Sequence, residues 1–241
     1  MSFYADILKD GGLDNTRILK TIEMGRYKKD VVLTGLGKNC LGTGHLIEVL
    51  KGVQKFGNLN EKNFLSEEIV RKISLKGVSR KKKLFLISKS SHNKFLARRI
   101  DKTIKWDLME TKSIEEAVRD SDYNFYILIS AIKTGKLTTR TRFESIAKVK
   151  GNGKINSEVA KMIIETNNWG KMGLKDCCMA IKLSGGDDRI ARAVIEKKMN
   201  LPDMLAREMI DALELSDKHI LIVQAIQNEV ERRKSLLIKA A

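Results

Sequence analysis

The chain has a single proline, Pro202, in 241 residues. An internal proline removes a hydrogen bond and clashes with the preceding turn, so this scarcity favours helices over a turn-rich β architecture. Cysteines number three: Cys40, Cys177 and Cys178. An odd count with one adjacent pair is a poor disulfide framework and fits a reducing, intracellular and cytoplasmic setting. His45, His92 and His219 are widely separated, none at ligand spacing with a cysteine or another histidine, so no metal and no cofactor is expected. No run of roughly 18 uncharged apolar residues occurs, which excludes a transmembrane helix. The opening Met-Ser-Phe-Tyr-Ala-Asp has neither the basic nor the apolar region of a secretory signal. Nucleophile signatures and clustered carboxylates for metal-assisted phosphoryl chemistry are missing too, so the chain reads as a binding protein and not an enzyme.

What is present is a globular composition, 42% hydrophobic and 32% charged, with a net charge of +16. That excess is not spread evenly. Residues 70–112 hold 14 Lys and Arg against Asp101, Asp107 and Glu110, and residues 131–154 hold 7 against Glu144. Residues 1–69 and 155–241 are each close to neutral, at +1. A surplus kept for solubility would not be partitioned in this way, so the middle of the chain is expected to be an anion-binding surface.

Periodicity gives a mainly α fold, with two helical lobes (1–69 and 155–241) flanking a basic centre (70–154) that reads as either helical or α/β. Asp14 or Asn15 starts a helix that Gly25 ends, and Gly57 closes a second that carries Leu46 to Val53. Ser66-Glu67-Glu68 is expected to begin a third, with its acids in the first turn. In the centre, Lys83–Ile87 and Asn124–Ile129 are short apolar runs compatible with buried strand or helix. Gly151 and Gly153 make residues 150–154 a hinge. Toward the end, Ser157, Asp187 or Asp188, and Ser216 or Asp217 are expected helix caps, and Pro202 sits in a first turn. No internal repeat is apparent.

The loop Gly35-Leu36-Gly37-Lys38-Asn39-Cys40-Leu41-Gly42-Thr43-Gly44 invites comparison with a phosphate cradle. However, Asn39 stands where a P-loop needs Ser or Thr, Val32 occupies the earlier glycine position, and Cys40 replaces the third glycine of the dinucleotide pattern. A plain turn is the expectation. The strongest constellation is Arg80, Lys81, Lys82, Lys83, Lys89, Lys94, Arg98, Arg99, Lys102 and Lys105, continued by Arg140, Arg142, Lys148, Lys150 and Lys154. Arg98, Lys102 and Lys105 fall at helical spacing, and Arg140 and Arg142 share one side if their segment is extended. Phe95 and Trp106 lie inside the basic region and are candidates for stacking on unpaired bases. Phe85, Tyr123, Phe125 and Tyr126 read as structural. Trp169, between two helices, reads as a packing anchor or part of an interface.

The expected function is sequence-tolerant binding of RNA, single-stranded by preference, in a basic groove between helical lobes, with packaging or protection as the role and homo-oligomerisation through the neutral lobes. The layout is analogous to that of small nucleoproteins of negative-strand RNA viruses, with no motif that matches them. One alternative is a matrix or scaffold protein that binds an anionic membrane surface and ribonucleoprotein, for which Leu84–Ile87 beside Arg80–Lys83 supplies the insertable apolar stretch. Another is a DNA-binding regulator, weakly supported because a helix-turn-helix tried on Leu205–Ile226 is nearly neutral and lacks the usual glycine.

Overall fold

The computed structural model describes residues 2–9, 12–149 and 153–240, and these are 74% helix with no strand. Lys150, a candidate cation, and the adjoining Gly151 and Asn152 of the expected hinge lie outside the described residues. The α/β option for the centre is therefore corrected, because both ambiguous apolar runs are helical. They look unpatterned because so much of each is covered: Leu84 and Ile87 are fully buried in one, Ile127 and Leu128 in the other.

Among the described residues, α1 (Phe3–Lys9) is followed by seven consecutive helix pairs. The first four are α2 (Asn15–Met24) and α3 (Lys29–Gly37), α4 (Thr43–Phe56) and α5 (Lys62–Lys72), α6 (Arg80–Lys89) and α7 (Lys94–Asp101), and α8 (Thr111–Asp120) and α9 (Phe125–Lys133). The last three are α10 (Thr139–Lys148) and α11 (Gly153–Thr166), α12 (Leu174–Leu183) and α13 (Asp188–Lys198), and α14 (Ala206–Leu215) and α15 (Ile220–Ala240).

The chain forms two compact units, Met1–Lys105 with Ala117–Ile127 and Trp106–Glu116 with Leu128–Ala241. In the first, α2 packs on α4, and α5 packs on both α3 and α7. In the second, α12 packs between α10 and α14 in one layer, and α13 between α11 and α15 in the other. Helices α2 to α5, α7 and α10 to α15 thus meet both a pair partner and a counterpart in a neighbouring pair, which is the packing of a repeat array.

The repeat that the sequence conceals is carried by its turns. Five of the seven pairs turn on two successive left-handed residues: Arg26-Tyr27, Ser91-His92, Asp122-Tyr123, Gly185-Gly186 and Asp217-Lys218. In every case the second of them donates its N–H to a carbonyl five residues back, those of Ile22, Ile87, Val118, Ile181 and Leu213. Four of the turns open with a serine (Ser90, Ser121, Ser184, Ser216) whose hydroxyl donates to that same carbonyl. All four serines are buried. The next helix is then capped from within the turn: Asn93 accepts from Phe95 and Leu96, Asn124 from Tyr126, Asp187 from Arg189 and Ile190, and His219 Nδ1 from Leu221. Asp122 follows Ser91 by 31 residues, and Asp217 follows Gly185 by 32. That spacing is close to the roughly 33–34 residues of two-helix repeat arrays.

Several expected boundaries move for local reasons. Gly35 and Gly37 lie within α3, where an added Cβ at Gly35 would come 2.7 Å from Ile22 Cδ1, so the glycine run is partly a packing device and forms no phosphate cradle. α5 begins at Lys62, and Ser66 is buried inside it. α11 starts at Gly153, ahead of the expected Ser157 cap. Pro202 sits in a separate 3-10 turn, Leu201–Asp203, and the cap of α15 is His219. Trp169 is buried as a packing anchor, its indole donating to the Ile164 carbonyl and its ring 6.0 Å from that of Phe143.

Candidate nucleic-acid interface

The candidate cations divide between the two units. Arg80 to Lys105 belong to the first and the set from Arg140 to Lys154 to the second, together with Trp106.

In the first unit the α6–α7 pair carries almost all of them. Ser79 caps α6 by accepting from the Lys82 N–H, so Arg80, Lys81, Lys82 and Lys83 fill the first turn. That position is unfavourable for cations, because the helix dipole already places partial positive charge there. The same arrangement makes the turn a strong attractor of anions. Arg80, Lys81, Lys82 and Lys89 are exposed, and Lys83 Nζ lies 3.4 Å from Thr103 Oγ1, beyond the end of α7.

Along α6, Lys81, Phe85 and Lys89 succeed one another at intervals of four and share one face. Phe85 is 53% exposed and has the Lys89 ammonium over its ring, 5.1 Å from the centroid. Lys94 and Arg98 of α7 and Lys102, which caps its C-terminal end, repeat the same spacing, all exposed. Lys94 lies over Phe95, and the Arg98 guanidinium lies 4.7 Å from the centroid of Tyr126. Lys105 follows after the helix has ended, so the expected stripe of Arg98, Lys102 and Lys105 is better drawn as Lys94, Arg98 and Lys102.

Arg99 is different. Its guanidinium donates to the Val70 carbonyl in the last turn of α5, which ties two packed helices together. In the second unit, Arg140 and Arg142 do not share a side, because their segment is helical and positions two apart face nearly opposite ways. Arg140 is exposed and pairs with Glu144 at 2.7 Å. Arg142 is buried, donates to the Gly135 carbonyl at 2.8 Å, and has its pKa lowered by burial. Lys148 pairs with Glu144 at 2.8 Å, and Glu144 is held below the usual carboxylate range by its hydrogen bonds to Arg140 and Lys148. Lys154 is exposed in the first turn of α11. Phe95 and Trp106 are half-buried.

Some cations elsewhere are matched to carboxylates, such as Arg71 with Glu67 and Glu68, or Arg232 and Arg233 with Glu229. Among the described residues, no lysine or arginine from Arg80 to Lys105 makes an ion pair with a carboxylate, and the His92 ring is the group of this stretch that lies beside one, Asp122. No family model matches the chain, and neither does any curated protein or solved structure.

The residue that sequence reasoning missed is Phe85. It sits within an apolar run, which assigns it to the core, and only the helical phase set by the Ser79 cap turns it outward between Lys81 and Lys89. Its alternation with lysines at intervals of four was the available signal.

Proposed function

We propose that the α6–α7 pair is the contact surface of a sequence-tolerant, single-stranded RNA-binding protein that packages or protects its ligand. The observation that carries this reading is the exposed Phe85 set among cations that have no carboxylate partner. Unpaired cations attract phosphates through counterion release, and an exposed ring offers a stacking platform to any base. Ser88 and Thr103 add hydroxyl groups near the same cations.

A membrane surface is favoured less by this geometry. Insertion needs several apolar side chains beside the cations, yet Leu84 and Ile87 are fully buried and Leu86 half-buried, which leaves Phe85. A DNA-reading helix gains no support either, because α14 and α15 are joined by the same turn as four other pairs and are not set apart as a recognition motif.

The test is anisotropy with a labelled oligouridine across a salt series, on protein freed of co-purified nucleic acid. For the combined variant Lys81→Ala, Lys82→Ala, Lys89→Ala, the log-log salt slope is expected to fall by about 2, at about 0.7 per cation on single strands. An unchanged affinity and slope would remove the surface from consideration. Binding of the parent to anionic vesicles but not to RNA would transfer the same surface to the membrane reading.

A further inference from the structure

The repeat in the second unit predicts which faces of a helix pair are covered by the next pair. Phe143, Cys178 and Ile210 are each the fifth residue of their helices, α10, α12 and α14. Phe143 and Cys178 are fully buried, whereas Ile210 is 55% exposed. Three residues further on, Ile146 and Ile181 are buried, and Leu213 is half-buried. The second layer repeats the contrast: Ala191 of α13 is buried, and Val223, 32 residues later in α15, is half-buried. Val230 and Leu237 continue from Val223 along the same stripe of α15 at intervals of seven and are exposed. Among the described residues, the α14–α15 pair therefore leaves open, at Ile210, Leu213 and Val223, the apolar positions that the earlier pairs bury under a neighbour.

We infer that this α14–α15 face is a homodimer interface, covered by the same face of a second copy in a twofold arrangement. Charge argues for a second copy meeting here. In a chain of net charge +16, residues 206–240 carry six carboxylates against six Lys and Arg, so two copies can approach through this neutral pair without confronting the cationic surfaces of the centre. The repeat argues for the shape, because what covers the equivalent positions of α12 and α13 is another helix pair of the same build, and an isologous contact supplies one to each copy. The inference does not depend on RNA binding.

The experiment is sedimentation equilibrium of the full chain, nuclease-treated and in about 0.5 M salt to dissolve nucleic-acid bridges. A concentration-dependent species of twice the 27.2 kDa chain mass is expected. Ile210→Lys, at a position exposed in the single chain, is expected to weaken dimerisation by at least about tenfold, with unchanged circular dichroism and melting temperature. Val230→Lys acts in the same direction, and Leu59→Lys in the first unit, exposed and off this face, leaves dimerisation unchanged. A chain that stays monomeric at about 100 μM, or a dimer indifferent to both Ile210→Lys and Val230→Lys, would overturn the inference. Either result leaves the salt-dependent RNA titration free to succeed or fail separately.

Discussion

Arg99 of α7 donates to the carbonyl of Val70 in the last turn of α5, while Arg98, its neighbour, faces outward over Tyr126. Adjacent arginines thus divide between holding the fold and meeting a ligand. Arg99→Ala is expected to cost about 1–3 kcal/mol of stability, since a half-buried carbonyl loses a charge-assisted donor. Arg98→Ala should leave the urea midpoint nearly unchanged and weaken RNA binding. Equal effects of the two substitutions on stability would contradict the division.

Lys82 stands at the third helical position after the Ser79 cap, where a glutamate would complete a capping box. Lys82→Glu is therefore expected to raise stability by about 0.3–1 kcal/mol through the helix dipole while lowering RNA affinity. Thermal denaturation and anisotropy on the same sample check both directions. A loss of stability would mean that the cation serves the fold.

Phe85→Ala separates stacking from charge. The expected loss of binding is about 1–3 kcal/mol, with the salt slope unaltered because no cation is removed. A change in slope without a change in affinity at low salt would assign Phe85 to the positioning of its lysine neighbours.

Two glycines rank by what surrounds them. A Cβ at Gly52 would fall 1.9 Å from Tyr27 Cζ, an overlap with a ring held in a left-handed turn. At Gly35 it would come 2.7 Å from the flexible end of Ile22. Gly52→Ala is expected to cost about 3 kcal/mol or more and Gly35→Ala about 1–2 kcal/mol, measured by urea unfolding.

The Glu229 carboxyl is pulled down to about 2 by hydrogen bonds from Arg232 and Arg233. A depressed folded-state pKa gives stability that is present above the unfolded value near 4.3 and lost as pH falls toward 2. Glu229→Gln should flatten that limb of the stability–pH curve relative to the parent. Parallel curves for the two proteins between pH 5 and pH 2 would show that the carboxylate makes no net contribution.

Much of the helical pattern was legible. The caps at Asp14 and Asp187 and the stops at Gly25 and Gly57 act locally, and the structure uses them as read. The repeat was hard to read because its sequence mark is short, a serine followed three residues later by Asn93, Asn124, Asp187 or His219, while the element common to all five turns is backbone geometry. Gly25-Arg26-Tyr27 and Ser184-Gly185-Gly186 share dihedral angles and hydrogen bonds while sharing little sequence. Among the candidate cations, composition could find a basic region but could not separate Arg98 from Arg99, or Arg140 from Arg142. Those distinctions depend on helical phase and on carbonyls 29 and 7 residues away.

The turns also govern how adjacent pairs communicate along their edge. His92 Nε2 lies 3.3 Å from Asp122 Oδ2, and His219 Nε2 donates to the Gly186 carbonyl at 3.1 Å, so a histidine in one turn grips another turn in both units. Stacked pairs of this kind close few long loops, so the entropy of loop closure, which slows sheet proteins, is met in small instalments. Each unit can begin folding at any pair whose turn has formed and extend to its neighbours from there. Refolding on the millisecond timescale or faster is the kinetic signature of that architecture.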